Sequence, residues 1–517
     1  MLNSENKVLI QCGDLIENQQ RILPLAESLR ALGHKPIILH YRDSSSFFSS
    51  RGFKTTGLNF YREKVKKNHI NRDTLPSSFF EFEPDPVASI KYALKKSTKL
   101  EFERDTYMLR RDAVALTRLI EKEQIDRIIT WNGVTGAVAN SLRMIAHDQV
   151  KNGGFLERGY VSGSVFFDHF GTNGCSSLSR GITAIYPDDK IDASLASLET
   201  VLEKKINIVA GKEYTRSKII LVPLQVQMDS NILLYSSKFK TMRSLVLDAC
   251  DLARKLGAGW KVVVRDHPEE QQVNLNIPYN DILCRDNESN LEELLANCSV
   301  VYTVNSTVGL TAASKGKVVV CNGTGIYCNE NFVINAEKLN VEETCSRVAA
   351  ALETPPTKND IKKFFAILLH RHHILPGVEE GIPLFGKTLE FYGERVNSSE
   401  NQQNHSLRIL RRKLAEIAQS EDLEIGVHLF LTFQEKIPLT YRITDQVSIN
   451  WIKTVLAKNF PDTRFSKIGG TDTIKSKSIC ILPSSSTPDE THNQYIAVID
   501  EFGYPHEKFY AVKSEIV

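Results

Sequence analysis

The feature that most constrains this chain is a rhythm that starts twice. Near the amino terminus, KVLIQC (7–12) is a short apolar run closed by Gly13-Asp14. Glu17 to Leu32 follows with helical periodicity and Gly33 as its stop, and PIILHY (36–41) is the next apolar run. In the middle the pattern begins afresh. KIILVPL (218–224) is a strand, Ser237–Leu256 a helix ending in Gly257, and WKVVVR (260–265) a strand, with another around Ile282-Leu283. Leu291–Ala296 is a short helix, VVYTV (300–304) a strand, Val308–Ser314 a helix and KVVVC (317–321) a strand. Strands of this length alternating with helices predict parallel sheets covered on both faces.

Between the two series lie a charged helical region at 85–123, a strand DRIITWNG (126–133) entering a helix near Val134–Gln149, and strand-like pieces at GFLERGY (154–160) and SVFFD (164–168). The polar stretch DDKIDASLASLETVLEKK (188–205) separates the series. The expected class is α/β, with two Rossmann-like halves facing each other over 1–205 and 206–395. VNSSENQQNHS (396–406) reads as a linker, and 407–517 as a small separate α/β module. That module opens on a basic helix, LRILRRKLAEIAQ (407–419), followed by GVHLFLTF (426–433) and Ile449–Lys458. The helix's apolar stripe most often means packing on its own domain. The sharper reading is peripheral contact with anionic lipid or with an assembly protein.

Composition narrows the partners. Lys+Arg 64 against Asp+Glu 62 leaves +2 over 517 residues, so no global field argues for nucleic acid. Nine scattered cysteines without CxxC spacing fit reduced thiols rather than a disulfide framework or a zinc site, and no metal or other cofactor is expected. No run approaches the roughly 18 apolar residues of a membrane span. The start, MLNSENKVLIQCGD, does not read as a signal peptide, so the expected location is cytoplasmic. The first strand is not followed by GxGxxG, and GxxxxGK[ST] does not occur. Both absences weigh against a dinucleotide dehydrogenase and a P-loop ATPase.

In parallel α/β sheets ligands gather outside the carboxyl ends of the strands. Those ends carry Glu157-Arg158-Gly159, Asp168 with HFGTNG, Gln225 to Asn231, Asp266-His267-Pro268, Asn305-Ser306-Thr307 and Asn322 to Tyr327. Each has a plain reading. A His-Pro after a strand is a turn, because proline keeps the preceding residue extended. Asn305-Ser306-Thr307 is a helix N-cap, Asp229 with Ser230 and Asn231 an Asx turn, and Glu157 with Arg158 a surface ion pair. The functional readings are compatible with these. His267 would meet a phosphate or a leaving group, hydroxyls and N–H groups at a helix start would form an anion site, and a carboxylate from each half would suit glycosyl chemistry.

Taken together, LERG (156–159), DHFGTN (168–173), PLQVQMDSN (223–231), RDHP (265–268) and VNSTVGLTAASKGKVVVCNGTGIY (304–327) resemble, in order and spacing, the capsule-polysaccharide biosynthesis family, and within it the retaining β-Kdo transferases. The resemblance covers most of residues 1–395. It implies a GT-B-like fold and a glycosyltransferase that moves Kdo from CMP-Kdo, with retention, to a surface glycan acceptor, expected to be lipid-linked. By the same resemblance Asp229 is the nucleophile and Glu157 the second catalytic acid. His267, Ser306 and Thr307 would hold the phosphate and cytidine part of CMP, with Gln225, Ser230, Asn231, Asn305, Gly309 and Tyr327 also on the donor side. Arg158, Asp168 and Asn173 would contact the acceptor or the sugar. Bacterial sialyltransferases pair a His-Pro with a later Ser/Thr pair in a similar way. A CMP-sialic acid transferase, a sugar-nucleotide epimerase and a non-catalytic glycan-binding or assembly scaffold therefore remain the alternatives. The module at 407–517 matches no motif of the family.

Overall fold

A computed structural model of the chain describes residues 6–374, apart from short stretches at 43–45, 72–73, 77–78, 80–84, 95, 150, 203–205, 207, 209–216, 271–272 and 279–280. Beyond 374 it describes only 439–441, 465–467 and 479–481. The class is the expected one, α/β with two Rossmann-like halves, each built on its own sheet.

The first sheet holds strands β1 (Lys7–Gln11), β2 (Lys35–His40), β3 (Lys54–Gly57), β4 (Arg127–Trp131), β5 (Asn152–Arg158) and β6 (Val165–Asp168). The second holds β7 (Ile219–Pro223), β8 (Lys261–Arg265), β9 (Leu283–Arg285), β10 (Val300–Thr303), β11 (Val318–Cys321) and β12 (Ile334–Asn335). A thirteenth strand, β13 (His373–Ile374), closes the first sheet, whose order is β13-β6-β5-β4-β1-β2-β3; the second runs β12-β11-β10-β7-β8-β9. Alternate residues point to opposite faces, and both faces are filled. Val8, Ile10, Ile38 and Ile129 pack on one side of the first sheet, Leu9, Ile37, Leu39 and Ile128 on the other. In the second sheet Val222, Val264 and Val320 oppose Leu221, Val263 and Val319. Double burial is why these strands read as unbroken apolar runs.

Counting helices of at least six residues, the first half carries α1 (Ile16–Ala31), α2 (Pro86–Ala93), α3 (Lys99–Glu123), α4 (Ala137–Asp148) and α5 (Asp188–Val201). The second carries α6 (Ser230–Tyr235), α7 (Met242–Leu256), α8 (Leu291–Asn297), α9 (Thr307–Ser314), α10 (Val341–Glu353) and α11 (Lys358–Arg371).

Three features depart from the sequence reading. The first sheet is not wholly parallel: β6 runs antiparallel to β5, and β13 antiparallel to β6. Residues 159–164 are too few for the dozen-residue crossover that a parallel pair needs, so a hairpin results. The helix expected over Ser237–Leu256 begins at Met242, where the Thr241 hydroxyl caps it by accepting the Ser244 N–H. The preceding Ser236 is diverted to donate its hydroxyl to the Asn322 carbonyl. Finally, the tail of the second half crosses back, with α11 packing on α5 and β13 joining the first sheet. One apolar cluster accordingly mixes Phe166, Tyr186 and Leu198 with Leu295, Leu310 and Phe364.

The helix 407–419 and the segments 426–433 and 449–458 lie outside the described residues. Near them Leu439–Tyr441, Phe465–Lys467 and Ile479–Ile481 form a three-stranded parallel sheet. Among the described residues no helix is long and apolar enough to cross a membrane.

Candidate functional site

Strand order places the site. In the first sheet the order reverses between β1 and β4, in the second between β7 and β10, and such switch points open a crevice at the carboxyl ends. A glutamine stands at each. Gln11 Oε1 accepts from the Thr130 hydroxyl at 2.6 Å and from Trp131 N–H at 3.0 Å, which ties β1 to β4. Gln225 Nε2 donates to Asn305 Oδ1 at 3.1 Å, and its Oε1 accepts the Asn305 N–H at 3.3 Å, which ties β7 to β10. Asn305 Nδ2 then reaches the Thr324 carbonyl at 2.9 Å and Asn231 Oδ1 at 3.4 Å. Gln225 and Asn305 thus brace the crevice of the second sheet through one another.

Asp229 caps α6: its Oδ1 accepts from Asn231 N–H at 3.2 Å and from the Ser230 hydroxyl at 3.1 Å. The chain turns sharply just before it, with Met228 at φ +62°. The Asx turn expected at 229–231 is present and fixes the Asp229 carboxylate at the start of α6. Ser306 caps α9, its Oγ accepting the Val308 N–H at 3.3 Å, and Thr307 is exposed at the first helical position.

His267 sits half-buried after β8, with Nδ1 accepting the Glu269 N–H at 3.1 Å. In the neutral ring that bond assigns the proton to Nε2. The surrounding acids also have work. Asp266 holds Asn287 at 2.9 Å and Arg285 at 3.4 Å, and Glu270 accepts the Gln227 N–H at 2.6 Å, fixing the loop that carries Asp229. Glu269 lies 3.8 Å from Arg158 of the other half, both well exposed.

Glu157 ends β5. Desolvation around its carboxyl raises its pKa, and the Asp229 charge raises it further. Two hydrogen bonds oppose the rise, from Arg158 N–H at 3.0 Å and from Asn132 Nδ2 at 2.8 Å. The Asp229 charge thus contributes to the Glu157 shift although the two carboxylates come from different halves of the chain.

Three expected contacts, Asp168, Tyr327 and Gly309, are placed inside the fold. Asp168 is 1% exposed, which excludes contact with an acceptor or a sugar. Burial alone would raise its pKa, yet His372, Ser177 and the Phe170 N–H together hold it at about 2. It organises the 168–177 loop from inside. Tyr327, also 1% exposed, donates its hydroxyl to the Ser306 carbonyl and supports the start of α9 from below. Gly309 is buried over that hydroxyl, where a Cβ would stand 2.3 Å from it. Asn173 is half-buried at φ +51°, beside Gly174, which packs on the Tyr235 ring of α6.

Sequence reasoning missed Asn132, the residue that grips Glu157. The only signal was Asn132-Gly133 at a strand end, which reads as a turn. Among the described residues no group of three or more His, Cys, Asp or Glu side chains is arranged to hold a metal ion. A groove of about 490 Å³ lined by residues 273–278 and Arg285 flanks the second sheet and contains none of these side chains.

Comparison with known proteins adds the following. Residues 199–331, which include Gln225, Asp229, His267, Asn305 and Ser306, match the sequence model of the family described as capsule polysaccharide biosynthesis protein. Protein FixF of Sinorhizobium fredii strain NGR234 is 25% identical over 228 residues, 43% of this chain and 54% of FixF. The chain thus spans about half the length of that curated relative. The solved Thermosulfurimonas dismutans KpsC beta Kdo 2,7 transferase is 18% identical, covers 55% of this chain and 90% of its own, and has a TM-score of 0.35. The beta Kdo 2,4 transferase of the same KpsC is 15% identical, covers 53% and 88%, and has a TM-score of 0.32. Through residues 199–331, the chain resembles the capsule polysaccharide biosynthesis proteins, as its motifs led us to expect.

Proposed function

We propose that the chain is a glycosyltransferase that moves Kdo from CMP-Kdo to a glycan acceptor, lipid-linked and presented at the cytoplasmic side, with retention at the anomeric carbon. The observation that carries this reading is the placement of one carboxylate from each half, Glu157 near the carboxyl end of β5 and Asp229 in the loop after β7, where it caps α6. An Asp229 oxygen attacks the anomeric carbon, the bond to phosphate breaks, and its electron pair leaves with CMP. The acceptor oxygen then displaces Asp229, whose carboxylate recovers the electron pair, while Glu157 takes the hydroxyl proton. A carboxylate whose pKa is raised is the stronger base for that second step. His267 Nε2–H, the Ser306 and Thr307 hydroxyls and the N–H groups starting α9 meet the phosphate and stabilise its developing charge. Arg158, exposed beside Glu157, suits the sugar's carboxylate.

The reading is tested by incubating purified protein with intact CMP-Kdo and glycan acceptors. Transfer, or slow release of CMP, is expected, and both should fall by about 10³-fold or more in Asp229→Asn. Absence of transfer and of CMP release in the wild-type protein overturns it. Thermal-shift comparison of CMP, UDP and GDP checks the donor separately, with selective stabilisation by CMP expected.

A further inference from the structure

Asn132 makes more contacts to the strand carrying Glu157 than a turn residue needs. Its backbone N–H donates to the Leu156 carbonyl at 2.7 Å, and its Nδ2 donates to Glu157 Oε2 at 2.8 Å. Its Oδ1 faces away, accepting from Val134 N–H at 3.1 Å and the Thr135 hydroxyl at 3.2 Å. Those donors fix the amide's orientation, because a flipped amide would set NH2 against two donors. The Thr172 hydroxyl, from the DHFGTN loop, holds the Asn132 carbonyl at 3.2 Å.

The backbone is committed as well. Asn132 lies at φ +61° and Gly133 at φ +84°, where asparagine and glycine are the tolerated residues. A Cβ on Gly133 would meet the Phe155 ring at 2.6 Å. Buried Arg143 of α4 completes the support: its Nε donates to the Gly133 carbonyl at 2.6 Å and its Nη2 to Asn140 Oδ1 at 2.9 Å. A rigid turn therefore delivers one N–H to one carboxylate oxygen.

We infer that Asn132 is the positioning residue that orients the Glu157 carboxylate, through the N–H its rigid turn delivers to Oε2. This rests on the glycosyltransferase reading for its consequence in catalysis, though not for its effect on Glu157 itself. An N–H donated to a carboxylate favours the ionised form, so losing it raises the pKa of Glu157. If Asn132 were only a turn residue, keeping the turn would keep Glu157 unchanged.

Two substitutions separate the roles. Asn132→Asp is nearly isosteric, tolerates the same backbone and keeps the acceptor for Val134 and Thr135, but turns an oxygen toward Glu157 in place of the N–H. Asn132→Gly removes the side chain and suits the left-handed backbone. Infrared titration of the full chain, with the Glu157 band identified as the one missing in Glu157→Gln, reads protonation without any assay of activity. The expected result is an upward shift of about one pH unit in Asn132→Gly and a larger one in Asn132→Asp, with little change in melting temperature. The Glu157-controlled limb of the kcat profile with CMP-Kdo should move by the same amount, while KM for the donor stays within about threefold. An unshifted Glu157 titration in both variants overturns the inference, whatever the activity. A shifted titration in the variants, alongside a wild-type protein that neither transfers nor releases CMP, upholds the positioning role and refutes the glycosyltransferase reading instead.

Discussion

Replacing His373 with glutamine removes a proton-sensitive group from behind the candidate site, and the consequence can be worked from its surroundings. The ring is fully buried on β13. Its Nε2 accepts the Tyr160 N–H at 2.7 Å, two residues past Arg158, and its Nδ1 lies 3.0 Å from the Leu368 carbonyl. That pair of partners requires the neutral ring with its proton on Nδ1. Burial first, and then the neighbouring His372, push its pKa down from 6.5 to about 3. Because the folded value lies below the unfolded one, the unfolded chain binds the extra proton between those limits. The stability is fully present above about pH 6.5 and is lost progressively as pH falls toward 3. Each pH unit in that window costs about 1.4 kcal/mol, so acidification to about pH 5 costs the wild-type protein roughly 2 kcal/mol through this residue. Glutamine can still accept from Tyr160 and does not titrate. Urea unfolding followed by tryptophan fluorescence should find His373→Gln weaker by about 1–3 kcal/mol at pH 7.5. That gap should shrink by about 2 kcal/mol at pH 5. A gap that stays constant between the two pH values refutes a neutral, buried His373.

Two further outcomes follow from the packing. Gly309→Ala sets a methyl against the Tyr327 hydroxyl, so the start of α9 must shift. Calorimetric affinity for CMP should weaken by about tenfold and recover in part in the double variant with Tyr327→Phe. An unchanged affinity in the single variant counts against the anion-site role of this helix start. Burial pushes the Cys12 and Cys298 thiols up to about 12, whereas Cys284 is exposed. Native alkylation at pH 8, mapped by mass spectrometry, should label Cys284 well before either buried thiol; early labelling of Cys12 would show that the end of β1 is open.

Much of the fold was legible because a doubly covered parallel strand has little choice of composition. VVVR and VVYT declare themselves, and their carboxyl ends follow directly. Hence the sequence alone places Gln225, Asp229, His267 and Asn305 on one edge. Polarity at a strand end does not reveal whether a side chain turns outward or inward. Asp168 and Tyr327 were therefore expected at the surface, although a loop of serines, a buried histidine and a backbone carbonyl claim them inside. Asn132 was hidden for the opposite reason, since an Asn-Gly pair at a strand end is explained by the turn alone. Only the register of β4 against β5 brings its amide to Glu157. The return of β13 was equally illegible: a two-residue strand has no periodicity, and its place depends on where α11 docks.

That return has a consequence for how the two halves can move. The chain passes between them twice, once between Val201 and Ile219 and again between Glu353 and Lys358, and the second passage ends woven into the first half's sheet. Two covalent tethers act like two hinges on one door: they leave rotation about the line joining them and resist sliding or separation. Expressed alone, residues 1–205 would lack that second tether and would present β6 as an open sheet edge.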